Sequence, residues 1–252
     1  MSLEELLKPA VDGTLSVLEA GHEMGVKRVV LTASVATISD AEGKKTLYSH
    51  EDTVDPEESK NEYTKSKILA ENAAWEYVES LKSGETPLEL NTIHPAGIVG
   101  PTFNKDTEFT SMIFLKSIAE GKMPLLPKIT MGFTDVRELA EAHEKALYSD
   151  PYNRYVVVGE SLFMWEVAEL LGEEFKDQGI NPSTRQMPWI IGKIGSWFNP
   201  FLNTSIGRWG MKIEFDSSLA MEHLDYNPRP AKETLIDMCN SLIEQGYIMT
   251  NP

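Results

Sequence analysis

No Gly-x-Gly-x-x-Gly turn occurs in this chain: none of its 17 glycines stands two residues from another. The usual backbone cradle for a dinucleotide pyrophosphate is therefore not among these residues. A single cysteine, Cys239, excludes an intramolecular disulfide framework and fits a reducing compartment. The longest apolar stretch, Pro188 to Leu202, covers about 15 residues and is interrupted by Lys193 and Pro200, too short to span a bilayer. Basic residues are also scarce, 23 against 39 acidic ones for a net charge of −16. Such a chain is repelled by nucleic acid and by anionic membranes, so neither is predicted as a partner. The opening Met1-Ser2-Leu3-Glu4-Glu5 is acidic where a secretory signal needs a basic stretch, and a cytoplasmic location is expected. His94 and His143 lack metal-ligand spacing, so no metal is expected. A hydrophobic fraction of 41% and a charged fraction of 25% are ordinary for a globular chain.

What is present is chemistry for a carbonyl. Tyr63-Thr64-Lys65-Ser66-Lys67 follows Leu31-Thr32-Ala33-Ser34 at a distance that can gather a phenol, an ammonium and a hydroxyl around one oxygen. Ile68, Leu69, Ala73, Trp75, Val78 and Leu81 recur at helical spacing, which predicts a helix over 61–81. Tyr63 and Lys67 are four apart and share a face of that helix. An ammonium near a phenol favours phenolate, and so prepares the tyrosine as a general acid near neutral pH. The apolar run Val29-Val30-Leu31 predicts a strand over 28–33, which leaves Ser34 where strand meets loop, placed to donate to an oxygen as negative charge develops. Tyr-x-x-x-Lys alone is a weak signal, because most such pairs are an exposed lysine above a half-buried tyrosine.

Two further strands are predicted over 88–94 and 154–158, the first running into His94-Pro95-Ala96-Gly97-Ile98-Val99-Gly100-Pro101. Ligands of open α/β sheets bind at the carboxyl ends of strands. The fold class expected is α/β with a Rossmann-like parallel sheet, a nucleotide-binding part over 1–160 and a smaller substrate-binding or lid region over 161–252. In that second region 164–175 reads as an amphipathic helix and 188–202 as an aromatic-rich lid or core helix. Gly192-x-x-Gly195 and Gly207-x-x-Gly210 are half phosphate motifs without a preceding strand, and no cofactor role is assigned to them.

These segments, with Leu6-Leu7-Lys8-Pro9-Ala10-Val11-Asp12-Gly13-Thr14, Ala70-Glu71, Phe133-Thr134-Asp135-Val136-Arg137 and Ala140-Glu141-Ala142-His143 in order, resemble the extended short-chain dehydrogenase/reductase superfamily. Within it they are similar to the dihydroflavonol 4-reductase branch of aldehyde and ketone reductases. The resemblance implies NADP, with NAD as the alternative, and a small-molecule carbonyl substrate reduced to an alcohol by a monomer or homodimer. It implies Tyr63 as proton donor, Lys67 as the residue that binds the nicotinamide ribose and tunes Tyr63, and Ser34 as the residue that orients the carbonyl. It places Pro95, Ala96, Gly97 and Ile98 along the nicotinamide, with Thr32 and Ala33 beneath it.

Related sugar-nucleotide dehydratases carry an Asp-Glu pair where this chain has Val35-Ala36, and related epimerases carry Val-Tyr-Gly where it has Ala36-Thr37-Ile38. Simple reduction therefore fits better than nucleotide-sugar isomerisation. Family members open with a strand, the glycine-rich turn and further strands before the helix that here begins at residue 3. The resemblance thus implies that the first part of the nucleotide-binding sheet is missing, with an apolar strand edge left exposed. A non-catalytic, partner-binding relative is the alternative.

Overall fold

The computed structural model describes residues 3–39, 42–59, 61–84, 86–103 and 109–250; Met1 and Ser2 of the acidic start lie outside them. The first half of the chain forms α1 (Leu3–Glu23), β1 (Arg28–Thr32), β2 (Leu47–Tyr48), α2 (Glu62–Leu81), β3 (Glu89–Pro95), β4 (Gly97–Val99), α3 (Thr110–Ala119) and β5 (Thr130–Asp135). There follow α4 (Val136–Ala146), β6 (Arg154–Val157), β7 (Ser161–Phe163), α5 (Met164–Glu174), α6 (Trp189–Gly195), α7 (Pro200–Ser205), β8 (Glu214–Phe215), α8 (Ser218–Leu224) and α9 (Ala231–Glu244).

The central sheet is parallel in the order β1-β3-β6, with Val29 opposite Leu90, Leu31 opposite Thr92 and His94 opposite Val156. Side chains alternate along each strand, and both faces are apolar here, as a parallel sheet requires. Val29, Leu31 and Leu90 turn to one side, where they pack with Leu18 of α1 and Ala74 and Val78 of α2. Val30, Ile93, Tyr155 and Val157 turn to the other, against Leu139 and Ala142 of α4 and Leu224 of α8. The result is a helix–sheet–helix sandwich. Among the described residues β1 pairs with β3 alone, so β1 is an edge, and Thr32 at its end is exposed.

α2 starts where it does because Asn61 caps it, its side-chain oxygen accepting the Thr64 N–H at 3.1 Å. α4 starts at Asp135, whose carboxylate accepts the Arg137 N–H at 2.8 Å. Burial raises the Asp135 carboxyl, and the Arg137 guanidinium and amide more than offset that, bringing it down to about 2. Arg137 reaches on to Asp237 of α9 at 2.8 Å, so this short motif ties α4 to the C-terminal helix.

A second sheet, β4-β5-β7, is parallel between β4 and β5 and antiparallel between β5 and β7. The largest core lies beside it and draws Val99, Met112 and Leu115 together with Met164, Leu171, Leu235 and Met238, from both sides of residue 160. The apolar stretch 188–202 is two short helices, α6 and α7, rather than a core helix. Its large side chains face outward, with Trp197 71% and Phe198 83% exposed. The glycine pair explains how α6 still attaches. A Cβ on Gly192 would fall 2.3 Å from the Trp209 ring, and one on Gly195 would fall 2.8 Å from Leu202. Both glycines are packing positions.

Candidate active site

Ser34 follows β1 directly and caps the single helical turn Val35–Thr37, its Oγ accepting the Ala36 N–H at 3.2 Å. Tyr63 stands in the first turn of α2, 51% exposed. Both border one cavity of about 660 Å³, together with Ala96, Gly97, Met131 and Phe201. Lys67, one turn on from Tyr63, holds its ammonium 5.9 Å from the centre of the Tyr63 ring. Four predicted site residues, Ser34, Tyr63, Ala96 and Gly97, thus meet at one opening at the carboxyl ends of β1 and β3.

The other predicted positions lie around this opening rather than on its wall. Thr32 Oγ1 is 2.7 Å from His143 Nε2, and His143 Nδ1 is 2.8 Å from the Leu139 carbonyl. The carbonyl can only accept, so Nδ1 carries a proton, and the Thr32 hydroxyl lies within hydrogen-bond reach of Nε2. Ala33 is buried, its N–H given to the Ile93 carbonyl at 2.7 Å. Pro95 closes β3 opposite Val157. Ile98 sits in β4 opposite Thr134, half-buried against the core under α4. The turn between them is pinned by Thr134 Oγ1, which accepts the Ala96 N–H at 3.0 Å and donates to the Val157 carbonyl at 2.6 Å.

Behind Ser34 lies a buried polar network that sequence spacing does not reveal. His94, fully buried, has Nε2 3.3 Å from Glu71 Oε1 and Nδ1 3.3 Å from the Ser34 carbonyl. Thr37 donates to the same carbonyl at 2.9 Å. Arg154 donates from Nε to Glu71 at 2.9 Å and from its terminal nitrogen to the carbonyls of His50 and Asp52. Burial pushes His94 down, Glu71 only partly restores it, and the ring sits at about 4; it is neutral at pH 7. Burial raises Glu71, but His94 and Arg154 more than offset it, holding the carboxyl below its usual range. Glu71 stands one turn beyond Lys67 on the face that carries Tyr63, but nothing in that spacing marks His94 or Arg154 as its partners. A ligand search by metal spacing passes over it, and no metal-type cluster occurs among the described residues.

The groups at this opening of the kind that a ribose and a carboxamide hydrogen-bond are the Tyr63 hydroxyl and, one turn on, the Lys67 ammonium, whereas the Thr32 hydroxyl lies against His143.

A parallel α/β sheet with a serine, a tyrosine and a lysine at its carboxyl edge defines a Rossmann-like protein of the short-chain dehydrogenase/reductase type. The chain belongs to the 3-beta hydroxysteroid dehydrogenase/isomerase family, whose model matches residues 1–163, and within the extended superfamily to the branch of dihydroflavonol and cinnamoyl-CoA reductases. It is 32% identical over 262 residues to the NADPH-dependent methylglyoxal reductase of Saccharomyces cerevisiae, covering 96% of this chain and 72% of that one. It is 26% identical to cinnamoyl-CoA reductase 2 of Medicago truncatula, over 99% of this chain and 68% of the relative. The crystal structure of yeast methylglyoxal/isovaleraldehyde reductase complexed with NADPH superposes with a TM-score of 0.74 at 25% identity. That match covers 96% of this chain and 72% of the solved one. No described helix is long and apolar enough to cross a membrane.

Proposed function

We propose that this protein reduces a small carbonyl compound to an alcohol with NADPH, Tyr63, Ser34 and Lys67 forming the chemical group. The observation that carries the reading is the shared cavity: Ser34 and Tyr63, 29 positions apart in sequence, border one opening with Lys67 against the Tyr63 ring. NADPH, when bound, supplies a hydride. Ser34 Oγ accepts the Ala36 N–H, which leaves its own O–H to donate to the substrate oxygen and fix the carbonyl. Tyr63 gives a proton to that oxygen as it becomes an alkoxide, and Lys67 stabilises the phenolate that remains. Thr32, Ala33, Lys67 and the Pro95–Ile98 turn would hold the nicotinamide ribose and ring. Residues 1–160 serve the nucleotide and 161–252 the substrate in this reading.

The relatives' names set the substrate range to screen, from methylglyoxal and small aldehydes to aromatic thioesters and ketones. The test follows NADPH oxidation by the purified protein across that range, beside Tyr63→Phe. The variant should keep the wild-type melting temperature and lose at least 10²-fold in kcat, the size of a general-acid contribution. Equal turnover by the variant, or no turnover by the wild type on any carbonyl, would overturn the reading.

A further inference from the structure

The acidic residues are not spread evenly. Between Asp177 and Glu214 lie 36 residues without one Asp or Glu, where the average density of the chain would place about six. The same run holds four cations, Arg185, Lys193, Arg208 and Lys212, and three of the five tryptophans. The whole-chain charge that argues against a membrane partner hides this reversal. At physiological salt only charges within about 8 Å of a surface are strongly felt, so the local balance decides what this face meets.

In the fold, 189–205 of this run are α6, α7 and the turn between them, with Lys193 the cation among them; Lys212 pairs with Glu214 at 3.6 Å and Arg208 lies over the Tyr48 ring. Gly192, Ser196 and Leu202 are the buried side that holds the pair to the body. Trp189, Ile190, Ile194, Trp197, Phe198 and Phe201 point outward, each between 45% and 83% exposed. Exposed Lys193 stands one turn from Trp189. A patch of this kind marks an interaction surface rather than a scattered surplus of apolar residues. Tryptophan, phenylalanine and isoleucine around a lysine is the composition of a segment lying in the headgroup region of a bilayer. Phe201 also borders the cavity of Ser34 and Tyr63, so the patch runs to its mouth.

We propose that the outward face of α6 and the turn into α7 seat on an anionic phospholipid surface, with the cavity mouth beside the contact. The test is co-sedimentation of the purified protein with phosphatidylcholine vesicles made with and without phosphatidylserine, read beside tryptophan emission. Expected is binding to the phosphatidylserine vesicles with a blue shift, weakened by salt and by Lys193→Glu. In the double variant Trp197→Glu, Phe198→Glu the affinity should fall at least tenfold at an unchanged melting temperature, since both side chains already face water. Absence of binding, equal binding to both vesicle types, or equal binding by the double variant would overturn the proposal. So would a concentration-dependent dimer that the double variant abolishes, which would assign the face to a second copy. Nothing in the measurement requires turnover, so it stands or falls apart from the reductase reading.

Discussion

His94 joins stability to the architecture of the site. Its ring is neutral in the fold because burial holds it at about 4, against roughly 6.5 for an unfolded histidine. As pH falls below 6.5 the unfolded chain takes up the proton first, so stability is unaffected above that value and lost progressively toward 4. At pH 5 the loss amounts to about 2 kcal/mol. His94→Asn removes the titration. In urea denaturation at pH 7.5 and pH 5, the wild type should lose about 2 kcal/mol more than the variant over that interval. Equal losses would show that another group titrates there. Glu71 works in the same direction lower on the pH scale, its depressed carboxyl stabilising the fold above its unfolded pKa and ceasing to do so as acid protonates it, so the interval above pH 5 reports mainly the histidine. What this network holds in place is the Ser34 carbonyl, through His94 and Thr37, and with it the turn that carries the Ser34 hydroxyl.

The central strands and α2 were legible in the sequence because their apolar residues repeat with the period of the element. The strand expected over 28–33 is Arg28–Thr32, and the helix expected over 61–81 is Glu62–Leu81. The stretch 188–202 was legible as apolar but not as exposed, because periodicity reports a face and not what covers it. Its glycines carried the missing information. Gly192 and Gly195, set aside as half a phosphate motif, are the points where α6 meets Trp209 and Leu202. A methyl group at 192 would collide with the indole at 2.3 Å, and an overpacked contact of this kind costs about 1–3 kcal/mol. Gly192→Ala should therefore loosen α6 and α7 from the body while the central sheet remains. Limited proteolysis should cut faster within 186–200, and urea denaturation should show a destabilisation of about 1–3 kcal/mol. Unchanged cleavage and unchanged stability would mean that Trp209 has room to move and that α6 is held in some other way. The Glu71–His94–Arg154 network was not legible at all, since its three members come from α2, β3 and β6 and meet only when the parallel order β1-β3-β6 is formed.

For the molecule as a whole, the proposed function asks one group of residues to serve the nicotinamide end of NADPH: Thr32, Tyr63, Lys67 and the Ala96-Gly97 turn, which stand at or beside the carboxyl ends of adjacent strands, in a sequence without a Gly-x-Gly-x-x-Gly turn. If the nicotinamide end engages NADPH, the nucleotide binds the folded state and not the unfolded one, and must raise the melting temperature by linkage. At a hundredfold excess over Kd the gain is about 2.7 kcal/mol, or roughly 5–10 °C for a chain of this size. The residues divide the effect in a way that a non-specific anion contact would not. Lys67→Ala removes the cation assigned to the ribose in the proposed reading and should abolish most of the shift. Tyr63→Phe removes only the hydroxyl that gives up the proton and should keep the shift while turnover is lost. A thermal melt of the three proteins with increasing NADPH tests this. A shift that survives Lys67→Ala would place the nucleotide elsewhere on the surface, and the absence of any shift at millimolar NADPH would mean that the nicotinamide end does not suffice for binding in this chain.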